Sequence, residues 1–305
     1  MGRDYFLDKD IIIGKDHNIY VVYSNINSYG YVYAYLKYVY TGKGLWKGYE
    51  RAFKFYGVHN LMKIPQSFVY EPCYDVSFPI ILRSTVYKHL KPEYKLKQII
   101  SHTSNKLEEI AVEIYEIIGI QQMGITGSLL ADISHEKSDI DFVIYGEKNA
   151  RDFMDSFRGF DKDEEWIYET QKNYKIPLEI AKELYDIRVR GIYKGVKYSF
   201  LFVNPYPQKY CDKVCKRVSE GEIIADIDDN SNSLFYPSVV LLSNVSVIRG
   251  DYKPRVLVSY EGIYSALLYK AKRIFAYGML MKCDDGEIRI IIGDRDVNGY
   301  VKKIL

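Results

Sequence analysis

Residues 123–144, reading MGITGSLLADISHEKSDIDFVI, restrict the fold more than any other stretch: an apolar run, a Gly-Ser turn, a ten-residue spacer, then two aspartates alternating with apolar residues. Side chains of a strand alternate between its faces, so Asp139 and Asp141 share one face while Ile140, Phe142 and Ile144 share the other. Two carboxylates side by side repel unless a cation lies between them. Oxygen donors completed by phosphate and water are what Mg²⁺ prefers. The pair therefore predicts a divalent cation, Mg²⁺ or Mn²⁺, carried with a nucleotide. Gly127 and Ser128 fall where the first strand gives way to a short helix, about Ser128 to Ile133. Glycine allows close backbone approach to a phosphate, the helix start offers unpaired N–H groups, and Ser128 adds a hydroxyl.

Gly127-Ser128, the spacer and Asp139-Ile140-Asp141, with an apolar strand on either side, resemble the signature of the DNA polymerase beta-like nucleotidyltransferase superfamily. A softer similarity, carried by Tyr5 to Pro92, by Ala34-Tyr35-Leu36-Lys37-Tyr38 and by Phe235-Tyr236-Pro237, links nearly the whole chain to an archaeal group of predicted nucleotidyltransferases. The resemblance implies transfer of a nucleoside monophosphate from an NTP, ATP first among them, to an acceptor hydroxyl with release of pyrophosphate. Asp139 and Asp141 are then the catalytic and metal-holding residues, and Gly127 and Ser128 bind the nucleotide. The acceptor is open, and RNA is compatible.

Superfamily members commonly supply a third carboxylate from a later strand. Here that strand is Val196 to Val203, VKYSFLFV, which contains no acid. Ser199 occupies the place, leaving Asp226, Asp228 and Asp229 as substitutes, or a catalytically weakened nucleotide- or RNA-binding module as the alternative.

The fold class expected is α/β in the α+β sense: a central nucleotidyltransferase-type mixed sheet with helices, flanked by two smaller β-rich domains. The boundaries are 1–92 (β-rich), 93–210 (nucleotidyltransferase) and 211–305 (β-rich, barrel-like or a curled sheet). The first region carries β-branched and aromatic runs at Ile11–Ile13, Ile19–Tyr23 and Tyr31–Tyr40. Tyr29, Tyr31, Tyr33 and Tyr35 alternate there, which fits a packed sheet face better than a base-stacking array. Three-and-four spacing predicts one amphipathic helix over Tyr94–Ile118, with further helices at Asn149–Phe157 and Pro177–Arg190. Lys194-Gly195 reads as a hairpin turn before Val196. In the C-terminal region, Gly262–Arg273 breaks the strand pattern with room for a helix.

Hydrophobic content of 48% and charged content of 27% suit a soluble folded chain, and 42 basic against 40 acidic residues neither require nor exclude nucleic acid. No apolar run reaches membrane-spanning length and no signal-peptide core opens the chain, which places it in the cytoplasm with no membrane partner. Cys73, Cys211, Cys215 and Cys283 are too scattered for a disulfide framework and read as reduced thiols. Arg188, Arg190, Lys194 and Lys197 form a basic cluster suited either to phosphate or to a helix end. His135 and Lys137 precede Asp139 in a loop, with nothing to make His135 a base.

Overall fold

A computed structural model describes residues 3–304, which fold into three sheets and eight helices as an α+β protein. Two compact units form, both discontinuous in sequence. The first takes residues up to 54, 80–164 and 186–208; the second takes 55–79, 165–185 and 209 onward.

The first unit holds two sheets. Its N-terminal sheet is antiparallel: Tyr31–Gly44 pairs Ile19–Asn27, which pairs Ile11–Gly14, which pairs Val86–Leu90. On its other edge Tyr31–Gly44 pairs Ile80 to Leu82 and the short Gly48–Arg51 strand. Tyr33 is buried and meets Tyr31 edge-on at 5.4 Å, while Tyr35 packs on Phe53, so most of this tyrosine face is sheet packing. Tyr29 alone of the four stands fully exposed.

The central sheet runs Arg190–Tyr193, Val196–Val203, Ile140–Tyr145, Met123–Thr126. Only the middle pair is parallel. The hairpin forms at Lys194-Gly195, both at positive φ. Phe142 and Phe200, stacked at 5.1 Å across the parallel pair, bury against Phe153 of the helix Glu147–Ser156. Opposite, Pro92–Ser101 packs so closely on Met123–Thr126 that a Cβ on Gly124 would lie 2.6 Å from Pro92 backbone.

The single helix expected over Tyr94–Ile118 is two, Pro92–Ser101 and Lys106–Ile118. Asn105 accepts from the Glu108 N–H at 3.1 Å while the Glu108 carboxylate accepts from the Ser104 N–H at 2.7 Å. This reciprocal cap outweighs the apolar periodicity that runs straight through it. The helix expected over Pro177–Arg190 spans only Leu178–Leu184, and a helix at Glu164–Tyr174 was not foreseen. After Leu184 the chain turns at Asp186, whose carboxylate accepts from the Arg188 N–H and guanidinium.

In the second unit, Cys215–Asn232 pairs Ser238–Arg249, then Val256–Ser259, Ile288–Ile292 and Arg273–Cys283, and the last pairs back to the first. The ring of five strands is a small closed barrel, and Tyr300–Lys303 pairs with the first half of Arg273–Cys283, burying Val301 in the same core. Ile223, Leu257, Ile274, Leu280 and Ile290 fill its core. Leu267 and Leu268, from the helix Ser265–Lys270 inside the Gly262–Arg273 stretch, join them.

The thiols are not free. Cys73 bonds Cys211 and Cys215 bonds Cys283, both within this unit. Cys215 and Cys283 sit opposite each other on paired strands, a proximity that only the folded register creates. Closing loops of 138 and 68 residues restricts the unfolded chain, worth about 2 to 5 kcal/mol each in the chain-entropy account. No helix among the described residues is long and apolar enough to cross a membrane.

Candidate active site

Asp141 lies in the middle of the central sheet, with Thr126 opposite it on one side and Ser199 on the other. Paired residues share a face, so Thr126, Asp141 and Ser199 form one polar row across the sheet, continued by Arg190 opposite Ser199. Ser199 is 2% exposed and its hydroxyl donates to Asp141 Oδ1. Thr126 donates instead to the Lys9 carbonyl at 2.7 Å. Asp139 stands two residues earlier, exposed at the start of the strand.

The two carboxylates feel each other. The Asp141 charge, assisted by desolvation, holds the Asp139 carboxyl above the usual carboxylate range, while Lys37 and Arg51 draw it back. Among the described residues no cluster of three or more His, Cys, Asp or Glu is positioned to hold a metal, so no third such ligand joins the pair. Ser199 takes the register position where the sequence offers no acid. Asp226, Asp228 and Asp229 belong to the second unit, where Asp226 engages Arg273 and Asn244, and Asp229 engages Ser231.

Gly127 follows Thr126 at φ +68°, and a Cβ built there would lie 2.4 Å from Asp141 Oδ2. The missing side chain therefore leaves room for the carboxylate itself. The helix that begins here is a single turn, Gly127–Leu130, shorter than expected, prolonged by turn bonds from Ala131 and Ile133 back to Gly127 and Ser128. Ser128 is buried, and its Oγ has no hydrogen-bond partner. An orphaned buried hydroxyl costs about 1 to 3 kcal/mol, and a phosphate oxygen accepting from it would remove that cost. Ser128→Ala is therefore expected to act with opposite signs: it raises the melting stability of the ligand-free protein by about 1 kcal/mol and weakens Mg-ATP binding about fivefold. Thermal melts with and without Mg-ATP check both, and destabilisation of the ligand-free protein would contradict the role.

The loop from Ala131 to Ser138 is braced by the N-terminal sheet. Leu130, Ala131 and Ile133 share a core with Ile11, Val21 and Tyr38. Lys47 Nζ donates to the Asp132 carbonyl at 2.9 Å, and Trp46 meets the His135 ring at 5.6 Å. His135 and Ser138 close the turn on each other, with His135 N donating to Ser138 Oγ at 3.0 Å. His135 Nδ1 accepts from the Lys137 N–H, so this ring nitrogen braces the loop.

Of the basic cluster suggested by sequence, Arg188, Lys194 and Lys197 are engaged elsewhere, while Arg190 lies opposite Ser199 on the neighbouring strand. Arg188 pairs with Asp186 and donates to the Met154 carbonyl. Lys194 meets Glu113 at 2.7 Å, and Lys197 lies 3.4 Å from Asp163. The cations felt at Asp139 are Lys37 and Arg51, which sequence reading missed because more than 85 residues of chain separate them from it.

Residues 104–203 match the model of the nucleotidyltransferase domain family, a span that holds Gly127, Ser128, Asp139, Asp141 and Ser199. An uncharacterized protein of Methanocaldococcus jannaschii is 28% identical over 206 residues, which cover 61% of this chain and 59% of that relative. The chain thus spans under two-thirds of the relative's length. No solved structure matches.

Proposed function

We propose that the nucleotidyltransferase domain of this chain moves a nucleoside monophosphate from a metal-bound NTP to an oxygen nucleophile of an acceptor, releasing pyrophosphate. The observation that carries this reading is the Asp139 and Asp141 pair beside the orphaned Ser128 hydroxyl, at the end of one strand and the start of the next. The donor set suits Mg²⁺ or Mn²⁺: two carboxylates, no nitrogen or sulfur ligand, and a mutual repulsion that a cation relieves. Such an ion, held by Asp139 and Asp141, supplies a lowered pKa for an attacking hydroxyl and charge neutralisation for the leaving pyrophosphate.

The protein's own groups do the positioning. The Ser199 hydroxyl fixes Asp141 from one side, and the bare Cα of Gly127 accommodates it from the other. Ser128 offers a donor to a phosphate oxygen. The loop pinned by Trp46 and Lys47 holds Asp139 on a rigid base, which is the preorganisation that in-line displacement needs.

Incubation with each α-labelled NTP, Mg²⁺ or Mn²⁺ and acceptor mixtures containing RNA, protein and small metabolites is expected to release pyrophosphate and label an acceptor. Absence of Mg-NTP binding by any of the four nucleotides would defeat the proposal. A second reading, a nucleotide-binding module without catalysis, is favoured by Ser199 standing where an acid is expected. Mg-NTP binding with no pyrophosphate release under any acceptor would select it.

A further inference from the structure

The barrel of the second unit closes in the strand order first, second, third, fifth, fourth, with only the third and fifth parallel and the helix Ser265–Lys270 between the third and fourth. Five-stranded Greek-key barrels of this kind serve as holders of oligonucleotides and oligosaccharides. A fold does not choose its ligand, so the chemistry of the surface must decide.

Within the same unit, the strand Ser67–Glu71 and the turn after it are fastened beside the first barrel strand. Cys73 bonds Cys211, the Cys73 carbonyl accepts from the Cys215 N–H at 2.9 Å, and the Tyr210 hydroxyl donates to the Glu71 carboxylate at 2.7 Å. Phe68 and Tyr70 share one face of their strand, about 7 Å apart along it. They and Tyr210 are 39%, 54% and 44% exposed. Three rings in contact with water on a braced scaffold are platforms for another flat group.

Lysines adjoin these rings. Tyr70 Oη donates to Asp75 Oδ1 at 2.6 Å, and Lys216 Nζ lies 3.7 Å from the same oxygen, which sets the ammonium next to the phenol. Lys216 also faces Lys282 across the ladder of the first and fourth strands, and both are exposed. Like charges directly opposite repel. Asp75 answers Lys216, whereas Lys282 has no ion-pair partner among the described residues. An anion lying along this ladder relieves the repulsion.

We propose that this surface binds single-stranded RNA, with bases stacked on Phe68, Tyr70 and Tyr210 and phosphates against Lys216 and Lys282. Flat rings and negative charge repeating along one chain meet both demands, and a strand with unpaired bases carries them. RNA presents such bases in its loops and ends. A protein partner fits less well, since protein contacts are depleted in lysine. Joined to the nucleotidyl-transfer reading above, on which this clause alone rests, RNA is the acceptor.

The test is titration of the full chain, without nucleotide or metal, with an end-labelled single-stranded RNA of about twelve nucleotides, its duplex, and the same sequence as DNA, over a range of salt. Wild type is expected to bind the single strand at least about tenfold tighter than the duplex, and the DNA no tighter than the RNA. Phe68→Ala/Tyr70→Ala weakens the single-strand complex at least about tenfold, and Phe68→Ala alone about fivefold, at an unchanged salt slope. The ring-retaining Phe68→Tyr/Tyr70→Phe stays within about threefold of wild type. Lys216→Gln/Lys282→Gln lowers the slope of log affinity against log salt by about 1.4, the share of two phosphates on a single strand. No RNA binding by wild type at low salt overturns the inference, and so does equal affinity in wild type and the double alanine variant. Tighter binding of the duplex or the DNA overturns it too, as does a wild-type dimer that the double alanine variant dissociates, which marks a contact between copies. Because no nucleotide enters this titration, its failure leaves the transfer reading standing. Wild type that binds both RNA and Mg-NTP yet labels no RNA from an α-labelled NTP overturns the acceptor clause.

Discussion

Replacing both Asp139 and Asp141 with alanine is expected to remove metal-dependent NTP binding and lower nucleotidyl transfer by at least about 10³-fold, because a metal's contribution to such a transition state is worth several kcal/mol. The fold should survive, and the reason lies in what each side chain touches. Asp139 stands at the strand start, and the charge of Asp141 makes its ionisation less favourable than that of an ordinary carboxyl. Asp141 has one hydrogen bond of note, from Ser199. Its loss leaves a buried serine hydroxyl in want of a partner, a cost of about 1 to 3 kcal/mol, against which the end of carboxylate repulsion counts. Stability in the ligand-free state thus changes little while binding and transfer collapse. Thermal melts with and without Mg-ATP separate the two: stabilisation by Mg-ATP that persists in the double alanine variant would show that the aspartates do not hold the metal nucleotide.

What the sequence made readable here is local. A strand, a Gly-Ser turn and a second strand bearing alternate aspartates specify their own geometry within 22 residues, and period-2 alternation puts Asp139 and Asp141 on one face without help from the rest of the chain. The hairpin at Lys194-Gly195 was legible for the same reason, since a two-residue connection ending in glycine separates the β-patterned runs Ile192-Tyr193 and Val196 to Val203. The place of Ser199 beside Asp141 was expected from the resemblance, in which a later strand supplies a third carboxylate, while the parallel sense of that pairing was not read from the sequence. Three things were hidden. The break between Ser101 and Lys106 depends on one side-chain cap, a few atoms against a long apolar period. The disulfides unite cysteines brought together by a barrel register and by a chain that leaves its unit and returns. The cations at Asp139 come from a sheet whose strands show only β-branched and aromatic runs, and the nearer basic cluster drew attention because its acidic partners, Glu113 and Asp163, lie on other elements.

Gly127 offers the most discriminating change, because two physical reasons for a glycine coincide there and predict different couplings. Its φ of +68° is costly for a side chain, and its Cβ position falls 2.4 Å from Asp141 Oδ2. In wild type, Gly127→Ala should cost both terms, about 2 to 4 kcal/mol of stability, and turnover should drop by about 10² or more as the Asp141 carboxylate is pushed from its place between Gly127 and Ser199. In an Asp141→Ala background the carboxylate is absent, so the same substitution should cost only the backbone term, about 1 kcal/mol. The difference, a coupling of about 1 to 3 kcal/mol, is large enough to read from chemical denaturation of the four proteins in the cycle. If the glycine served only to admit a phosphate to the backbone, the stability costs would add with no coupling, and the loss would appear in nucleotide affinity alone. Additive stabilities would therefore refute the packing role assigned to Gly127, whereas strong coupling ties the Gly-Ser turn and the Asp-bearing strand into a single preorganised unit.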